Sequence, residues 1–151
     1  MGHSARYVHT SLVAQDWRRL ALFYGQVFDC TPLAPERNLS GSGLEAGTGV
    51  PGARIRGVHL CLPGHGEDGP TLEIFQYDPM EAPIASAVNR PGMAHIAFAV
   101  DDVACAREAV LEAGGGPVGE IVSLEVAGSG RVTFAYVRDP EGNIVELQSW
   151  S

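Results

Sequence analysis

Four residues of this chain carry side chains that together can hold a divalent cation: His9, Glu73, His95 and Glu146. They form two matched pairs. His9 precedes Asp16 by seven positions, and His95 precedes Asp102 by seven, each aspartate opening a helix-like segment. Gly69 precedes Glu73 by four, and Gly142 precedes Glu146 by four, in the similar settings Leu72-Glu73-Ile74 and Val145-Glu146-Leu147. A glutamate flanked by apolar residues in a core strand cannot stay ionised and unpaired. One such residue could be neutralised by an arginine. Two of them in equivalent strands, with two histidines in equivalent strands, fit a divalent cation that neutralises both carboxylates and accepts both imidazoles. Taken singly, a histidine on an apolar strand is usually a packed core residue, and a buried glutamate usually has a salt-bridge partner. The joint recurrence is what points to a metal.

The elements that must position these residues can be read from periodicity. Residues 6–13 alternate, with Tyr7, His9, Ser11 and Val13 on one face of a strand. Asp16 suits a helix N-cap, and apolar residues at 17, 20, 21, 23, 24, 27 and 28 give a 3.6-residue period over 17–28. Residues 33–51 have little periodicity and many glycines. They read as a loop near a pocket, or as a weak strand with an exposed linker. The glycines from Gly41 onward are not read as a dinucleotide loop, because no strong strand is expected before them and no helix after. Residues 53–62 and 71–77 read as a hairpin around the polar turn 63–70, and the proline-bearing stretch 78–91 as a linker.

The plan then repeats. Residues 92–100 form a strand, Asp101 or Asp102 caps a helix over 103–113, and Gly114-Gly115-Gly116-Pro117 stops it. Strands follow at 121–126, 131–137 and 144–150, the last two joined by the turn 138–143. The chain is therefore expected to be one domain over 1–151, built from module 6–77 and module 92–150. Two such modules packed side by side would bring equivalent residues together near a pseudo-twofold axis. Small neighbours, Ser11 beside His9 and Ala97 and Ala99 beside His95, would leave room for a ligand.

Composition removes several function classes. Hydrophobic residues make up 45% of the 151 and charged residues 19%, a globular balance. The net charge of −8, with Arg18-Arg19 the densest basic cluster, argues against nucleic acid as a partner. No stretch approaches the ~18 apolar residues of a membrane span, and the N-terminus shows no apolar signal region. A soluble, cytoplasmic protein without a membrane partner is expected. Cys30, Cys61 and Cys105 form no Cys-x-x-Cys pair and read as small apolar residues in a reducing compartment. His59 is read as a packed or pocket-lining residue, and His65 as a solvated turn residue.

With these residues in view, the chain resembles the vicinal oxygen chelate superfamily, which includes glyoxalase I, methylmalonyl-CoA epimerase, extradiol dioxygenases and the bleomycin- and fosfomycin-resistance proteins. The matching stretches are residues 8–16 with Phe23-Tyr24, Leu72-Glu73-Ile74-Phe75, residues 93–101, and Asp139-Pro140-Glu141-Gly142-Asn143 followed by Glu146. The resemblance implies an α+β fold in which paired βαβββ modules form an eight-stranded incomplete barrel with helices outside. It also implies one divalent metal ion (Zn, Ni, Co, Mn or Fe), a small-molecule substrate and a homodimer. Its glyoxalase I and epimerase branch uses four protein ligands, as His9, Glu73, His95 and Glu146 would supply. Extradiol dioxygenases use two histidines and one carboxylate. A glyoxalase-like lyase or isomerase is therefore expected, moving a proton through a metal-chelated enediolate or enolate. Glu146, Glu73 or both would act as base, and Ser11, Phe75, Ala97 and Trp150 would line the substrate space. The alternatives are a drug- or natural-product-binding resistance protein, with a cleft lined by aromatics, and an extradiol-type dioxygenase.

Overall fold

The computed structural model describes residues 2–151. Contacts divide it into two compact units, Met1–Ala82 and Pro83–Ser151. In the first, β1 (His9–Val13) leads into α1 (Trp17–Phe28), and then come β2 (Thr31–Ser40), the short α2 (Ser42–Thr48), β3 (Arg54–Cys61) and β4 (Thr71–Asp78). The sheet order is β1-β4-β3-β2, with β1 parallel to β4 and the other pairs antiparallel.

α1 forms where its periodicity predicts. The Asp16 carboxylate accepts from the Arg19 N–H at 3.1 Å, satisfying one of the free donors of the first turn. Its apolar stripe, Leu20, Phe23, Tyr24 and Phe28, is buried together with Val58, Leu60, Leu72 and Ile74 of the sheet. That leaves the other sheet face, with His9, Ser11, Glu73 and His59, free of helix.

The second unit repeats this plan with β5 (Ile96–Ala99), α3 (Val103–Glu112), β6 (Gly116–Pro117), β7 (Val122–Val126), β8 (Gly130–Arg138) and β9 (Ile144–Trp150). Asp102 is the cap of α3, its carboxylate accepting from the Cys105 N–H at 2.9 Å. The order is β5-β9-β8-β6, with β7 also paired to β8.

The α+β expectation and the strand–helix–strands plan of each half are met. The strand count differs: among the described residues, nine strands lie in two open sheets. β6 and β7 pair with successive parts of β8, so they are two pieces of one edge position. Its counterpart, β2, is one strand with an irregularity between Leu33 and Arg37. Around Gly41 the structure corrects the sequence reading, since a strand does precede it and a helix does follow. They still make no dinucleotide fold, because β2 runs antiparallel to β3 and such folds need parallel neighbours. Among the described residues, no helix is long and apolar enough to cross a membrane.

Candidate metal centre

Register places the chemistry. In unit 1, Ser11 on β1 and His59 on β3 both lie level with Glu73 on β4. Residues level across a ladder share a face, and residues two apart on one strand share it too. His9, Ser11, Glu73 and His59 therefore emerge together. The His59 Nε2 lies 3.1 Å from Glu73 Oε2, and the His9 Nε2 lies 3.6 Å from that same oxygen. The ligand atoms of His9, His59 and Glu73 all fall within 4.8 Å of one another. Glu73 keeps only 13% of its side-chain surface exposed and His59 16%.

Neighbours hold the His59 ring in place. Its Nδ1 lies 2.9 Å from the hydroxyl of buried Thr71. The edge-on rings of His9 and Phe75 flank it at centroid distances of 5.6 and 5.7 Å. Phe75 itself lies close over Gly57, where a Cβ would stand 2.5 Å from the phenyl Cδ1. Burial pushes the His59 imidazolium below its ordinary range, and the charge of Glu73 opposes that shift.

Unit 2 builds a similar pair. Ala97 on β5 and Tyr136 on β8 lie level with Glu146 on β9. The His95 Nε2 stands 2.9 Å from Glu146 Oε2. The Tyr136 ring meets His95 at 5.1 Å, and burial, with the Glu146 charge second, raises its phenol above the ordinary value. The turn before β9 explains the motif Asp139-Pro140-Glu141-Gly142-Asn143. Buried Asp139 accepts from the N–H groups of Glu141 and Asn143 at 2.9 and 3.0 Å, and from Asn143 Nδ2 at 2.8 Å. Gly142 takes a positive φ of 90° to close the turn. Arg138 donates to the Gly142 carbonyl at 2.9 Å and to the Ser86 carbonyl at 3.1 Å, tying residue 86 to the same turn.

The structure thus brings His9 together with Glu73, and His95 together with Glu146. Ser11 and Ala97 sit beside those glutamates as small neighbours. Phe75 is 7% exposed and packs against His59, so it supports that imidazole and offers little surface of its own. Trp150 is four residues beyond Glu146, ~13 Å along the strand. It is half exposed and donates through Nε1 to Gln148 at 2.6 Å. His59, which the sequence reading gave as a packed or pocket-lining residue, joins His9 and Glu73, and a signal for that position existed. The turn over 63–70 centres the hairpin near residue 66, which sets 59 opposite 73.

The donor set fits a divalent ion on its chemistry. Two imidazoles aim Nε2 at one carboxylate oxygen on an open sheet face, and imidazole with carboxylate suits Zn, Ni or Fe.

Comparisons with known proteins place the fold. No curated protein sequence matches the chain. Among solved structures, a glyoxalase family protein from Bacillus cereus superposes with a TM-score of 0.82 at 18% identity, over 99% of this chain and 96% of that one. A mobile-metagenome protein of V. pseudocholerae gives 0.58 at 24% identity, over 100% and 98%. A fosfomycin resistance protein from Listeria monocytogenes gives 0.56 at 16%, over 100% and 94%. These likenesses concern the fold. The family model of the Glyoxalase/Bleomycin resistance protein/Dioxygenase superfamily matches residues 6–147, and the chain belongs to that superfamily.

Proposed function

We propose that the protein is a divalent-metal-dependent enzyme of the glyoxalase-like kind, a lyase or isomerase that moves a proton next to a substrate carbonyl. The observation that carries this reading is the recurrence of one His–Glu pair per unit, each with a small residue level with the glutamate. His9 and Glu73 in the first unit, and His95 and Glu146 in the second, are the residues proposed as metal ligands. Bound there, a divalent ion supplies Lewis acidity to a substrate carbonyl. Glu73 or Glu146 takes the proton beside that carbonyl and returns it. Ser11 and Ala97 leave the space the substrate occupies. Apolar side chains left half-exposed on β7, Val122, Leu124 and Val126, favour a homodimer, which sedimentation would test.

The test is metal analysis of the purified protein, with His95→Ala and His9→Ala beside it. The expected result is about one divalent ion per chain, lost in His9→Ala and held more weakly in His95→Ala, the ratio at which a single catalytic ion serves a chain. The same preparation should catalyse wash-in of solvent deuterium next to the carbonyl of hemithioacetal or 2-oxo thioester substrates. A metal-free protein without exchange on any such substrate sinks the reading.

A second reading is sequestration of an aromatic natural product. Phe134 and Tyr136 pack edge-on at 5.6 Å on the strand facing Glu146, and half-exposed Trp150 ends β9. Ligand binding that survives complete removal of metal would favour it. Metal-dependent dioxygen uptake with a catechol would instead favour dioxygenase chemistry.

A further inference from the structure

We propose that His59 is itself a metal ligand, so that unit 1 alone holds a divalent cation on His9, His59 and Glu73. The inference rests on the metal reading above and goes past it, because the duplicated pattern contains only one histidine per unit.

Three observations carry it. First, both imidazoles address the same atom. Glu73 Oε2 stands 3.1 Å from His59 Nε2 and 3.6 Å from His9 Nε2. Ligands ~2.1 Å from an ion lie ~3.0 Å apart at a right angle and ~3.4 Å apart at the tetrahedral angle. The His59 distance falls in that range and the His9 distance lies just above it. Second, the far nitrogen of His59 already has the partner that ligation requires. With Nε2 on the ion, Nδ1 carries the proton and donates to Thr71 Oγ1 at 2.9 Å. Metal-bound histidines are commonly oriented through such an outer hydrogen bond. Third, the equivalent rung in unit 2 differs in kind. Tyr136 lies level with Glu146 as His59 lies level with Glu73, and a phenol keeps its proton at neutral pH. The imidazole of unit 1 is thus a donor set addition that unit 2 lacks. Two histidines and one carboxylate leave open positions on an ion, enough for two adjacent oxygens of a small molecule.

The test uses the full chain loaded with Co(II) after removal of other metals. The variant His95→Ala/Glu146→Gln removes the donors of unit 2. It is expected to retain one Co(II) per chain through dialysis and to show two hyperfine-shifted, exchangeable imidazole N–H signals in its proton NMR spectrum. Adding His59→Gln, which fills similar space, should reduce the signals to one. It should also weaken Co(II) binding at least ~10-fold, the lower bound seen when even an outer partner of a ligand is lost. A double variant that holds no Co(II), or shows one N–H signal, overturns the inference without any change at His59. Two signals that persist after His59→Gln overturn it as well. If the unmutated protein binds no Co(II), the metal reading falls together with this one. If it binds Co(II) and the double variant does not, only this inference falls.

Discussion

Replacing Gly57 by alanine should damage both the stability of unit 1 and its grip on a metal. A Cβ built at this position stands 2.1 Å from the Ile74 carbonyl oxygen, 2.5 Å from Phe75 Cδ1 and 2.9 Å from Phe75 Cα. Two of the three obstacles are backbone atoms of the neighbouring strand, so no rotamer change removes them. The β3–β4 ladder has to open by about an ångström, and an N–H···O bond stretched that far is lost. Losing two such bonds costs ~1–3 kcal/mol, and overpacking a filled position costs ~1–3 kcal/mol more. A net loss of ~2–6 kcal/mol corresponds to a melting temperature lower by roughly 4–24 °C in a chain of this size. The displaced rungs are next to the site, since His59 lies two residues along β3 and Glu73 faces it on β4. Metal affinity should therefore fall with stability. The matched control is Gly47→Ala in α2, where a Cβ meets nothing within 4 Å. There the helical preference of alanine should add ~0.5–1 kcal/mol. Melting curves followed by circular dichroism, with metal content measured alongside, decide the matter. A Gly57→Ala protein that melts within about 1 °C of the parent, well inside the shift expected above, would refute the reasoning.

Three further outcomes follow from the geometry. Asp139→Ala leaves two turn N–H groups without their acceptor and should cost ~2–4 kcal/mol in urea unfolding, whereas Asp139→Asn, which keeps an acceptor oxygen, should cost less than half of that. In thiol titration of the native protein Cys105, which is exposed, should react first. Burial pushes the Cys30 thiol up to about 12, so it should react only on unfolding. In the metal-free protein the His59 imidazolium is held below its unfolded value, mainly by burial. The unfolded chain therefore binds more protons between the two values. That contribution to stability is present above the ordinary imidazole pKa and is lost as pH falls through the depressed one. His59→Gln should flatten that part of the stability–pH profile, as read from urea midpoints.

Much of the positioning machinery was legible in the sequence because it is local. The limits of α1 follow from its 3.6-residue stripe and the Asp16 cap, and the β9 turn follows from Asp139 and Gly142. What was not legible depends on partners distant in sequence. β2 has no alternation, contains Pro32 and Pro35, and is exposed along nearly its whole length. It is a strand because β3 offers it an edge to pair with from Thr31↔Cys61 to Ser40↔Arg54. α2 has two internal glycines, no side-chain cap and no buried residue, so neither propensity nor pattern announces it. His59 escaped for a different reason. Comparing the halves for identical residues finds His9 with His95 and Glu73 with Glu146, but it passes over a position where the halves diverge.

That divergence bears on how the two units differ chemically. Rung by rung, the open faces pair Ser11 with Ala97, His59 with Tyr136, Gly57 with Phe134 and Phe75 with Gln148. The helix-side rungs remain aliphatic in both, Leu72 and Ile74 against Val145 and Leu147, as packing against a helix demands. Unit 1 presents two nitrogen donors and an oxygen donor, a set that attracts a cation. Unit 2 presents one nitrogen donor, one carboxylate and a phenol whose proton is held more firmly by burial and by the charge of Glu146. A group of that kind donates a hydrogen bond and does not ligate, so it is suited to a substrate oxygen. One fold used twice thus supplies two different surfaces, and the difference in metal donors arises at the ladder position opposite each glutamate, His59 in one unit and Tyr136 in the other.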